Sequence, residues 1–115
     1  MTLKIYHNPR CRKSREALEL LNKKGLKPEV IEYLKTPPSP RELDGILKKL
    51  HMEPQEIVRT KEEVYQDLHL SKKQMDRKDW IQVLVKNPIL IERPIVVHGG
   101  KAALGRPPEK VLEVL

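Results

Sequence analysis

Cysteine occurs once in these 115 residues, tryptophan once and phenylalanine not at all. A single cysteine excludes an intramolecular disulfide, so a redox cycle at that thiol needs a second thiol from another molecule. Without phenylalanine the core has to be built from leucine, isoleucine and valine. Aromatic residues are only 3% of the chain, too few to serve as stacking platforms among the basic residues. The net charge of +7 therefore points to a small oxyanion or an acidic protein surface as partner, and not to nucleic acid. No apolar run approaches the roughly 18 residues of a membrane span, and no signal-peptide pattern opens the chain. A cytoplasmic protein without membrane contact is the expectation. His7, His51, His69 and His98 lie scattered, with no metal-ligand spacing among them or toward the cysteine.

What is present suits a globular chain, with 38% hydrophobic and 34% charged residues, and the length predicts one domain over 1–115. The cysteine lies in His7-Asn8-Pro9-Arg10-Cys11-Arg12-Lys13-Ser14-Arg15, between a strand-like run (Leu3, Ile5, Tyr6) and a helix-like run (Ala17, Leu18, Leu20, Leu21). A lone cysteine is often just a small buried hydrophobe. Proline, arginine and lysine are poor company for such a role. At a strand-to-helix turn, free N–H groups and the positive end of the helix stabilise a thiolate and form an oxyanion site. Arg10, Arg12, Lys13 and Arg15 add charge of the same sign. Cys11 is therefore expected to be a reactive thiol with a pKa below the free value of ~8.5.

The rest of the chain supplies a frame for that turn. Residues 2–6 read as a strand, 12–24 as a helix closed by Gly25, and 30–34 as a second strand, which makes a parallel βαβ unit. Ser39, Pro40 and Glu42 carry the cap, N1 and N3 signals of a helix with Leu43, Ile46, Leu47 and Leu50 inward. A short helical turn from Glu53-Pro54 to Arg59, a helix over 61–70, and a helix capped near Asp76 and ended by Asn87-Pro88 follow. Residues 39–87 thus read as a helical insertion. Ile95–His98, the Gly99-Gly100 turn and Lys101–Leu104 read as a hairpin. A last helix opens at 105–109, with Val111, Leu112 and Leu115 inward. The order predicts an α/β, thioredoxin-like fold: a mixed four-stranded sheet with the insertion between its second and third strands. That plan places Pro94 at the start of the third strand, facing the cysteine turn through a cis peptide bond.

His7-Asn8-Pro9, Cys11 with Ser14-Arg15, Asn87-Pro88-Ile89-Leu90-Ile91, Arg93-Pro94-Ile95-Val96-Val97 and Arg106-Pro107 together resemble the glutaredoxin-coupled arsenate reductases over nearly the whole chain. The resemblance implies a thioredoxin-like fold and a single cysteine that attacks arsenate. It implies glutathione as co-substrate, glutaredoxin as partner and no bound cofactor or metal. By motif, Cys11 is the nucleophile and Arg59, Arg93 and Arg106 bind the substrate. Ser14 offers its hydroxyl to the thiolate, and His7 lies nearby and lowers its pKa. Guanidinium forks suit a tetrahedral oxyanion and offset the repulsion between it and a thiolate.

The chain departs from the family pattern at Arg12-Lys13, where members commonly have Gly-Thr, so that these side chains either crowd the pocket or offer a different anion or protein surface. The related Spx-type transcriptional regulators share the fold and often carry a C-x-x-C switch; Ser14 in the second position argues against such a switch here. Beside arsenate reduction, two alternatives follow: a thiol oxidoreductase acting on glutathionylated or other oxidised substrates, and a non-enzymatic regulator docking on a transcription protein. A monomer is the expected state.

Overall fold

The computed structural model describes residues 2–115, which form two compact units: the chain up to Thr36 with the chain from Arg93 onward, and Pro37–Glu92. The first unit holds β1 (Leu3–His7), α1 (Arg12–Lys23), β2 (Glu29–Glu32), β3 (Ile95–His98) and β4 (Lys101–Leu104). The sheet order is β2-β1-β3-β4. β2 runs parallel to β1 with Val30 opposite Ile5, β3 runs antiparallel to β1 with Val96 opposite Ile5, and β4 returns antiparallel to β3. The mixed four-stranded sheet is the one the element order predicts.

β1 is central and covered on both faces, and Ile5, Tyr6 and His7 are buried in succession. α1 packs on the sheet through Ala17 and Leu21, joining Ile5, Val96, Val111 and Val114 in one cluster, with Leu18 partly packed against it. The stripe also takes in Ser14, fully buried at the first turn. Gly25, at φ +78°, closes the helix: its N–H donates to the Asn22 carbonyl at 2.9 Å and that of Leu26 to the Leu21 carbonyl at 3.1 Å. β2 is shorter than the expected 30–34. The N–H groups of Lys35 and Thr36 both donate to the Glu32 carbonyl at 2.9 Å, and this turn carries the chain off the sheet edge, with Tyr33 buried inside it.

Pro94 follows a cis peptide bond, as the fold plan requires, and Arg106–Pro107 is cis as well, which the sequence did not signal. The last helix differs from expectation. Pro108–Val114 is a 3₁₀ helix that buries Val111 and Val114, while Leu115 is 45% exposed. Three residues per turn bring 111 and 114 to one side; an α period would have used 111, 112 and 115.

Gly105 sits where this segment meets the sheet. Its N–H donates to the Pro94 carbonyl at 2.8 Å. A Cβ there would stand 2.7 Å from Pro94 Cγ and 3.0 Å from Val111 Cγ1. The proline ring is stiff, so Gly105→Ala is expected to destabilise the chain by about 1–3 kcal/mol, the usual cost of overpacking. A urea melt reads this directly.

The second unit is helical: α2 (Pro40–Leu50), α3 (Glu63–Asp67) and α4 (Arg77–Lys86), with 3₁₀ segments at Pro54–Ile57, Leu70–Lys72 and Pro88–Leu90. Ser39 Oγ accepts the Glu42 N–H at 3.1 Å and Asp76 Oδ1 accepts the Asp79 N–H at 2.9 Å, so both expected N-caps form. α2 buries Leu43, Ile46 and Leu47. The helix expected over 61–70 is broken: α3 buries none of its residues, and His69, at φ 53°, separates it from the turn that buries Leu70. Arg77 reaches Asp44 at 2.8 Å and Glu53 at 3.0 Å, tying α4 to α2 and to the turn before Pro54. Among the described residues no helix is long and apolar enough to cross a membrane.

Candidate active site

Cys11 is the N-cap residue of α1, at φ −94° and ψ 122°, so its sulfur stands at the open end of the helix. Asn8 shapes the turn. Its carbonyl accepts the Cys11 N–H at 2.9 Å, and its Oδ1 accepts the Arg10 N–H at 3.0 Å. The thiol is half-buried. Burial alone would push its pKa up. The Ser14 N–H, the charge and hydrogen bonding of the Arg93 guanidinium, and the Lys13 N–H outweigh that effect, and the pKa is lowered. The helix terminus therefore acts as expected, but the cation comes from the residue before Pro94 and not from the basic residues beside the cysteine.

Those neighbours are otherwise engaged or solvated. Arg12 is 85% exposed and lies along α1 with its Nε 2.9 Å from Glu16 Oε1, so it does not crowd the thiol. Arg15 donates from Nη1 to the Pro9 carbonyl at 3.0 Å. Arg10 and Lys13 are exposed.

Ser14 supports the turn with two different atoms. Its N–H faces the thiol, while its Oγ accepts the Asn8 N–H at 3.1 Å. The resemblance assigns the hydroxyl to the thiolate; accepting the Asn8 N–H takes only a lone pair of Oγ and leaves its O–H as a donor. His7 ends β1, is 6% exposed, and its Nδ1 has no hydrogen-bond partner among the described residues. Burial lowers its pKa, Glu32 opposes this and Arg15 adds to it, which favours the neutral ring.

Arg93 is held from behind: Arg106 donates from Nη1 to the Arg93 carbonyl at 3.1 Å. In the first unit Cys11, Ser14 and Arg93 thus meet at one helix end, while Arg106 reaches the Arg93 carbonyl beside the cis Pro94. Arg59 belongs to the second unit. Its Nη1 lies 2.9 Å from Glu62 Oε2 and its Nε 3.8 Å from Glu92 Oε1, and its N–H donates to the Leu90 carbonyl at 2.7 Å. Sequence reasoning missed these two carboxylates, although Glu62, three residues on, is a local signal. Among the described residues no group of three or more His, Cys, Asp or Glu side chains is placed to hold a metal ion.

A lowered, half-buried thiol at a helix N-terminus beside a guanidinium is an arrangement that favours a nucleophilic sulfur and an anionic ligand. The family model for the ArsC family matches residues 6–114. The chain belongs to the ArsC family. It is 51% identical to the uncharacterized protein YfgD of Escherichia coli K12, over 98% of this chain and 96% of that one. It is 45% identical to an arsenate reductase of Haemophilus influenzae, with full coverage of both chains. The solved arsenate reductase from Vibrio cholerae superposes with a TM-score of 0.95 at 47% identity, covering 100% of this chain and 98% of that one. The thioredoxin-like α/β expectation holds over this whole length.

The lowered thiol has a direct consequence for this ArsC chain. Alkylation by iodoacetamide follows the thiolate, so its rate-against-pH midpoint is expected below that of an unperturbed thiol measured alongside. A midpoint at or above that of a short cysteine peptide would contradict the geometry.

Proposed function

We propose that the chain reduces arsenate to arsenite through Cys11, with glutathione and glutaredoxin as the external reductant in the cytoplasm. The observation that carries this reading is the Cys11 thiol, lowered by the α1 N–H groups and Arg93, in a chain whose family includes arsenate reductases.

The Cys11 thiolate attacks arsenic; a sulfur–arsenic bond forms and one oxide leaves as water after protonation. Arg93 neutralises the oxyanion during attack, and Arg106 positions Arg93 through its carbonyl. The lack of a second cysteine brings in glutathione, which adds through its own thiolate as another oxide leaves as water. The glutaredoxin thiolate then attacks the glutathione sulfur. That sulfur–arsenic bond breaks with its electron pair left on arsenic, and a glutaredoxin–glutathione disulfide forms. Two thiols have become one disulfide while As(V) has become As(III). Water releases arsenite from Cys11 and returns the thiol. In this reading Pro94 fixes Arg93, Ser14 fixes the turn, and His7 is a buried wall beside it. Arg59 enters through the family motif, with its guanidinium already engaged by Glu62 and Glu92.

The test is arsenate-dependent NADPH oxidation in the presence of glutathione, glutaredoxin and glutathione reductase, repeated with thioredoxin as the donor. Saturable turnover with glutaredoxin and none with thioredoxin is expected. No turnover with either donor, in a folded chain whose Cys11 alkylates as a low-pKa thiol, would overturn the assignment.

A further inference from the structure

Four basic side chains surround the Cys11 turn, and the structure employs two of them. Arg12 is committed to Glu16 at 2.9 Å and Arg15 to the Pro9 carbonyl at 3.0 Å. Arg10 and Lys13 are exposed, and no described residue partners either side chain. The thiol does not use their charge either: the cation acting on Cys11 is Arg93, and Lys13 contributes through its backbone N–H. Both are nonetheless firmly rooted. The Arg10 N–H is pinned to Asn8 Oδ1 at 3.0 Å, and Lys13 lies in the first turn of α1. One cation thus stands immediately before the thiol and another two residues after it.

We propose that Arg10 and Lys13 form a carboxylate-reading rim that selects glutathione as the thiol meeting Cys11. The inference rests on the reading of Cys11 as the sulfur at which glutathione works. Glutathione carries its thiol on the middle residue of a tripeptide with a carboxylate toward either end. A sulfur delivered to Cys11 therefore brings both carboxylates to the surface of this turn. A guanidinium fork and an ammonium group match two carboxylates, and a thiol without them gains nothing from the rim.

The test compares two disulfides on the same protein, oxidised glutathione and uncharged 2-hydroxyethyl disulfide. In each case the Cys11 thiolate attacks one sulfur, a bond to Cys11 forms, the disulfide bond breaks, and the other half departs as a thiolate. The ratio of the two rates cancels general changes in thiol reactivity. At low salt this ratio is expected to fall about twofold in Arg10→Gln or Lys13→Gln and about fivefold in the double variant, the scale of exposed charges several Å from an anion. The charge-keeping variant Arg10→Lys/Lys13→Arg should retain the wild-type ratio, and salt near 1 M should carry the wild type toward the glutamine variant.

An unchanged ratio in the double glutamine variant would overturn the inference, as would a fall that the charge-keeping variant shares. In the coupled assay the double glutamine variant should raise the glutathione KM about fivefold. A rise confined to the glutaredoxin KM would also overturn it, because the rim would then read the protein. Absence of arsenate turnover beside a charge-dependent ratio would remove the arsenate reading and leave the rim standing.

Discussion

Cys11→Ser should bring arsenate-dependent NADPH oxidation to the no-enzyme background while the chain stays folded. A serine hydroxyl in the same place is not ionised near neutral pH and forms no sulfur–arsenic bond. No second cysteine is available to substitute. Loss of a covalent nucleophile costs on the order of 10⁶ in turnover in well-studied hydrolases, which is beyond detection in a coupled assay. The fold should tolerate the change, because residue 11 is the N-cap of α1 and serine is among the best N-cap residues. The linkage is a second readout. A thiol whose pKa is lowered by folding adds stability that is complete above its unfolded pKa and is lost as the pH falls through the folded value. That pH slope should be present in the wild type and absent in Cys11→Ser. A variant that retained turnover would exclude Cys11 as the nucleophile.

The sequence carries the parts of this molecule that are decided locally. Ser39 and Asp76 cap their helices, Gly25 closes α1, and Gly99-Gly100 joins β3 to β4, because each works within a few residues of itself. The cis Arg93–Pro94 bond followed from the order of elements. What escaped sequence reading depends on partners brought from afar. Four cations flank Cys11 in the chain, yet the one that acts on its sulfur is Arg93, which reaches it only because β3 pairs with β1. Arg77 bridges to Asp44 and Glu53 by the same kind of remote meeting. The 3₁₀ end at Pro108–Val114 was hidden for another reason: valine and leucine at 111, 112, 114 and 115 satisfy two periods, and only packing against α1 and the sheet chooses between them.

Arg93→Ala should lower kcat/KM for arsenate by about 10²–10³, the range seen when one preorganised donor to a developing oxyanion is removed. The same change should raise the pKa of Cys11, because the guanidinium lowers it both by charge and by hydrogen bonding. The two effects separate by pH. Well above the shifted thiol pKa, Cys11 is fully ionised in both proteins, and the remaining deficit measures the lost hold on the oxyanion. At lower pH the deficit widens as the variant thiol protonates first. The backbone bond from Arg106 to the Arg93 carbonyl does not use the Arg93 side chain, so the turn before Pro94 should survive the substitution. Arg93→Lys restores a charge but not the planar fork, and should recover more of the thiol shift than of the arsenate KM. An iodoacetamide profile that stays in place in Arg93→Ala would mean that the helix end alone lowers the thiol, and would leave Arg93 only its hold on the oxyanion.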